Sequence, residues 1–276
     1  MTRAEQRAAA AELSVARVTA TLTQAEQAQR QLDADTAGLE LRLKVVRETL
    51  PLPVSGPPAS PERELARREA ARALVAQARL LCSAARLLDP KRATLEPAFQ
   101  KLGDLEKVLA TNTATPIDDA SAARSTCLAE LTATRRPHTQ TNPADPANDQ
   151  LLKELSDASL VPSRDDRGIV VTLETPFERD DRLTARAAAR LGELAGVAKA
   201  HPDYPLMLVV HSATKLPDGR ETARGEHAAV ALREHGAPHV EATTVGVALP
   251  RLGNHEPGAA TRNDRVEVVF VAPSAS

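Results

Sequence analysis

The chain has 276 residues, 35 basic and 37 acidic, with a formal net charge of -2. That length holds two domains but hardly three, and the near balance of charge excludes a broad nucleic-acid or anionic-membrane surface. Hydrophobic residues make up 42% and aromatic ones only 1%, with no Trp, so alanine and leucine fill most of the core and close-packed helices are favoured.

From residue 8 to residue 50, apolar or small side chains recur every three or four positions. They run through Val15, Val18, Leu22, Leu32, Leu39, Leu43 and Leu50, with Gln29 and Thr36 as polar members of the seam. The pattern predicts a helix of about forty residues, roughly 60 Å long. Such a rod must cover its seam with a copy of itself or with a later helix. The proline-rich segment 51–61 stops it, because proline cannot continue a helix. A helical pattern resumes over residues 62–88, with Leu74, Leu81 and Leu88 seven apart, and Asp89-Pro90 ends it. Further helices are predicted over 95–109 and 117–134. Together they make an elongated antiparallel hairpin or small bundle in a monomeric chain; the alternative is a homodimeric parallel coiled coil through the first helix.

The two cysteines, Cys82 and Cys127, fall on the second and fourth of these helices among Leu and Ala. In an oxidising compartment they suit a disulfide between helices, and in a reducing one two buried thiols. Residues 135–149 are rich in Pro, Asn, Thr and Asp and read as an interdomain linker. The expected organisation is therefore a helical domain at 1–134, the linker at 135–149, and a second domain at 150–276.

The second domain begins with a short helix at 150–158. A β-branched run after Arg167 predicts a strand, followed by Phe177, acidic residues and Thr184, which is placed to cap a helix over 183–200. The unbroken apolar run at 205–214 predicts a buried strand. After a Pro-Asp-Gly turn come a helix over 220–235, a strand over 240–247 and an alternating last strand over 261–271. The order is βαβαββ, so the fold class is α+β, with helices packed on a mixed sheet behind an N-terminal helical hairpin or coiled-coil bundle.

Four motifs in this segment resemble the OmpA-like domain family. Asn263, Arg265, Val266 and Glu267 stand where the family has N-R-R-V-E, with Asp264 replacing the middle Arg. Phe177 and the following Glu-Arg-Asp-Asp-Arg-Leu resemble F-D-F-D-S-x-x-L. His211, Ser212 and Ala213 stand where the family usually has H-T-D, and Arg224, Leu232 and Gly236 keep the spacing of R-A-x-x-V-x-x-x-L-x-x-x-G. The resemblance implies a non-catalytic periplasmic or outer-membrane-associated protein that holds peptidoglycan non-covalently through the diaminopimelate of its stem peptide. An Arg fork takes the carboxylate and an Asp accepts from the ammonium. Residue by residue it implies Arg224 on the carboxylate, His211 and Ser212 lining the pocket, and Asn263 and Arg265 holding the last strand beside it. Ala213 stands at the Asp position, so half of the recognition pair is missing, and Asp218 or Glu221 is the candidate substitute carboxylate. The alternative is an envelope interaction scaffold whose OmpA-like domain no longer binds peptidoglycan and whose helices bind a protein partner.

Other chemistry is poorly supported. His235 and His239 have ligand-like spacing, but Gly236 and Pro238 break the helix that would present both, so no metal site is expected. No G-x-S-x-G, H-E-x-x-H or Walker-type loop occurs, and neither an enzyme nor a cofactor is expected. No apolar stretch reaches the ~18 residues of a membrane span. The opening MTRAEQRAAAAEL lacks the apolar centre of a signal peptide, so the chain is cytoplasmic if Met1 is native. The family resemblance implies instead a periplasmic chain whose leader has been removed.

Overall fold

In the computed structural model of the chain, residues 61–111, 115–135, 146–253 and 256–273 are described. The predicted heptad helix at 8–50, with the dimer alternative it carries, and most of the predicted linker lie outside them. Four helices come first: α1 (Pro61–Leu88), α2 (Leu95–Thr111), α3 (Ile117–Thr134) and α4 (Pro146–Asp157). They are followed by β1 (Pro162–Asp165), β2 (Gly168–Glu174), α5 (Ala185–Ala200), β3 (Leu206–His211), α6 (Arg220–Glu234), β4 (Val240–Gly246), α7 (Ala259–Asn263) and β5 (Arg265–Val271). The strands form one sheet in the order β1-β2-β5-β3-β4, parallel between β3 and β4 and antiparallel elsewhere. The expected α+β class with helices on a mixed sheet is what is found.

Local chemistry explains several boundaries. Thr184 caps α5, its hydroxyl accepting from the Ala187 amide at 3.1 Å. Gly168 opens β2 at φ 146°, where an added Cβ would meet the Phe270 carbonyl oxygen at 2.1 Å, so no larger residue fits. Several boundaries differ from the predicted ones, and α4 begins at Pro146, inside the predicted linker. The hairpin partner β1 was not expected, because Pro-Ser-Arg-Asp has neither alternation nor apolar content to announce a strand. Residues 261–263 belong to the short α7, so the last strand begins at Arg265.

Strand alternation gives the sheet two apolar faces. Ile169, Val171, Leu173, Leu206, Leu208, Val210, Val266, Val268 and Phe270 pack with α4, α5 and α6. The opposite side chains, Val170, Met207, Val209, Val269 and Val271, pack with α1, α2 and α3. This corrects the expected domain division. Residues Glu64–Ser276 form one compact unit, with α3 and α4 packed on opposite faces of its sheet. The physical reason lies in β3: a strand apolar on both faces needs cover on both. Arg135, just beyond α3, strengthens the join by donating from Nη2 to the Asp166 carbonyl at 2.6 Å and from Nε to the Ala272 carbonyl at 3.2 Å.

Cys82 and Cys127 form a disulfide between α1 and α3, with Cα atoms 4.8 Å apart and a sequence separation of 45. Both are fully buried in the helical layer. Closing a loop of that length restricts the unfolded chain, so reduction is expected to lower stability by about 2–4 kcal/mol. Urea melts with and without a strong reductant measure the difference; coincident curves would remove the staple from the account.

Candidate functional site

Of the residues expected to form one site, Arg224 lies in one cluster and His211 with Arg265 in another, on opposite faces of the sheet. The first surrounds Arg224 in the first turns of α6. Its guanidinium lies over the Phe177 ring, 4.9 Å from the centroid, and Nε donates to Asp181 Oδ1 at 2.7 Å. Nη1 donates to Asp264 Oδ1 at 3.2 Å. Arg220, one turn earlier, donates from Nε to Asp181 Oδ2 at 2.6 Å. His227 Nδ1 lies 3.2 Å from the Asp181 carbonyl oxygen. Asp181 is thus the hub of this corner, held at φ 64° in the left-handed region that Asp tolerates better than most residues. Burial would raise its carboxyl, but hydrogen bonds from Arg224 and Arg220 outweigh it and hold the group below its ordinary value. Asp264 goes the other way, because burial, with the negative charge of Asp181 beside it, prevails over its contact with Arg224.

The second cluster is on the helical-layer side. His211, Arg265, Glu267 and Arg167 are each at most 9% exposed. Glu267 Oε2 accepts from Arg167 Nη2 at 2.8 Å and Oε1 from Arg265 Nε at 3.1 Å. His211 Nε2 lies 3.3 Å from Oε1 but too poorly aligned for a hydrogen bond. Arg167 also grips Asp165, its neighbour across the β1–β2 turn. Burial alone would raise the Glu267 carboxyl; His211, Arg167 and Arg265 around it hold it well below the usual carboxylate range. Burial depresses His211, favouring the neutral ring, and lowers Arg265 to about 10, so Arg265 stays charged at neutral pH.

The expected site therefore needs correcting residue by residue. Arg224 is present with acidic neighbours, but His211 and Arg265 point to the other face and belong to a buried ion network. Asn263 braces a loop: its Oδ1 accepts from the Arg251 amide at 2.7 Å and the Leu252 amide at 3.0 Å, and its Nδ2 donates to the Leu252 carbonyl at 2.8 Å. Ser212 is buried without a hydrogen-bond partner for Oγ. Asp218 is exposed in the turn before α6, while the carboxylates that reach Arg224 are Asp181 and Asp264. Sequence reasoning missed these two as partners. A signal existed for Asp264, since an acid replaced an arginine beside Asn263. The alternation of residues 265–271 was the signal for the second cluster, because Arg265 and Glu267 had to face away from Val266 and Val268. A shallow groove on the helical layer, lined by residues such as Pro97, Lys101, Val108 and Asp119, includes no member of either cluster. Among the described residues no His, Cys, Asp and Glu group is placed to hold a metal, and no helix is long and apolar enough to cross a membrane.

Several solved structures match part of this chain at low sequence identity. The periplasmic domain of Helicobacter pylori MotB is 15% identical, with 41% of this chain and 82% of that one covered and a TM-score of 0.36. The peptidoglycan-associated lipoprotein of Burkholderia pseudomallei is 19% identical over 36% of this chain and 87% of its own, with a TM-score of 0.32. The OmpA-like domain of FopA1 from Francisella tularensis is 17% identical over 41% and 80%, with a TM-score of 0.33. No protein-family model and no curated relative matches the sequence.

Proposed function

We propose that the chain is a non-catalytic protein of the cell envelope that associates non-covalently with peptidoglycan through the Arg224 corner of its OmpA-like part. The observation that carries this reading is the placement of Arg224 itself. Its position in the family-like spacing of α6 coincides with a guanidinium seated on an aromatic ring among carboxylates, a setting that orients the fork for a carboxylate. The Cys82–Cys127 disulfide fits an oxidising compartment such as the periplasm. The stem-peptide carboxylate is the proposed ligand group, without the family's Asp at position 213 to take an ammonium. Losing one charge-assisted hydrogen bond of about 1.5–3 kcal/mol weakens such binding roughly ten- to a hundredfold.

A specific observation favours a second reading. Both carboxylate partners of Arg224 come from the chain itself, which fits a scaffold that has kept the fold and lost the ligand. Co-sedimentation with purified peptidoglycan separates the two. Under the first reading the parent sediments weakly, Ala213→Asp sediments about tenfold better, and Arg224→Ala does not sediment at all. A parent that stays in the supernatant together with Ala213→Asp leaves the scaffold reading standing.

A further inference from the structure

The two carboxylates on Arg224 are not equivalent. Asp181 serves Arg220 as well as Arg224, and its side chain is 14% exposed. Asp264 reaches Arg224 through one longer contact, 3.2 Å, and its side chain is 22% exposed. Burial and the Asp181 charge push its carboxyl above the ordinary value, so the ionised form is less well held than that of Asp181. Its backbone is anchored independently of the side chain. The Asp264 carbonyl accepts from the Thr175 amide at 2.8 Å, and its own amide donates to the Ala260 carbonyl at 3.1 Å. The side chain can therefore leave Arg224 while the start of β5 stays in place.

We propose that Asp264 is an internal competitor at Arg224: its carboxylate occupies the guanidinium edge that a ligand carboxylate would use, and so sets how tightly this corner takes carboxylate-bearing ligands. The inference rests on the reading of Arg224 as the anion-binding group. Ligand entry is then an exchange of one carboxylate for another at Nη1, while Asp181 keeps its hold on Nε and Phe177 keeps the plane of the guanidinium fixed. Arg224 is only 9% exposed and Asp264 already holds Nη1, so a ligand carboxylate there has to displace it.

The test uses the full chain and Asp264→Asn, which keeps the shape and removes the charge. Sodium acetate serves as a plain carboxylate probe, and the NMR resonance of the Arg224 Nε–H, assigned by its disappearance in Arg224→Lys, reports occupancy. The variant is expected to half-saturate at acetate concentrations about tenfold lower than the parent. Coincident titrations, or no acetate-dependent shift in the variant, overturn the proposal. Asp264→Ser is the second variant should Asp264→Asn fail to melt cooperatively. Peptidoglycan co-sedimentation distinguishes this failure from that of the proposed function. Arg224-dependent sedimentation of the parent with coincident acetate curves retires the competitor and keeps the function. Separated acetate curves with no sedimentation of any variant retire the function and keep the competitor.

Discussion

Residues 146–276 expressed without α1, α2 and α3 are expected to be insoluble or to lack a cooperative melt, whereas residues 61–276 fold. Truncation bares Val170, Met207, Val209, Val269 and Val271, each at most 3% exposed in the intact unit. Full burial of such side chains contributes about 1.5–3 kcal/mol apiece, and five of them match the ~5–15 kcal/mol that is the whole stability of an ordinary domain. The exposed face would also be a contiguous apolar patch of the kind that drives aggregation. Met207→Asp in the longer chain should reproduce part of the damage by placing an unpaired charge between β3 and the helices. A soluble 146–276 fragment with a sharp thermal transition would show that the helical layer is dispensable, and the shared core would then carry little of the stability.

The second large effect is at Glu267. Replacing it with Ala leaves Arg167 and Arg265 buried beside each other without the carboxylate between them, a loss of about 3–5 kcal/mol for a broken buried ion pair. Urea denaturation measures it directly, and a loss under about 1 kcal/mol would mean that the network behaves as a surface pair does. The same cluster fixes the pH response. His211 is depressed from its ordinary 6.5, so as pH falls below that value the unfolded chain takes up a proton that the folded chain does not, and stability declines. Glu267 is held far below its ordinary 4.5, so its contribution is present above 4.5 and is lost as pH falls towards the folded value. Both signs agree. The urea midpoint should fall from pH 7 to 5.5 and again from 5.5 to 4, with the first step reduced in His211→Phe. A midpoint that rises on acidification would contradict both assignments.

The helices at 62–88, 95–109 and 117–134 were legible because their apolar spacing and their proline boundaries are local signals. The same holds for the four principal strands and for the Thr184 cap. Strand β1 was not legible, since a proline and three polar residues join the sheet only because β2 offers a free edge beside them. At the site, the motif spacing led to Arg224 but not to its partners. Asp181 lies 43 residues before it and Asp264 lies 40 after it, separations that no periodicity connects.

What the sequence determined by itself is the set of elements, the fold class they imply and the two cysteines that could meet. Those follow from the period of the apolar residues and from backbone chemistry within a few positions. What only the tertiary structure decided is which surfaces close on each other. A strand apolar on both faces requires two covers but does not say which helices supply them, and the answer joined α1, α2 and α3 to the sheet rather than leaving them as a spacer. In the same way an arginine needs a counter-charge when buried but does not name it. Folding supplied Asp181 and Asp264 to Arg224, and Glu267 to Arg167 and Arg265, because desolvating a guanidinium is tolerable only where a carboxylate from somewhere in the chain arrives with it.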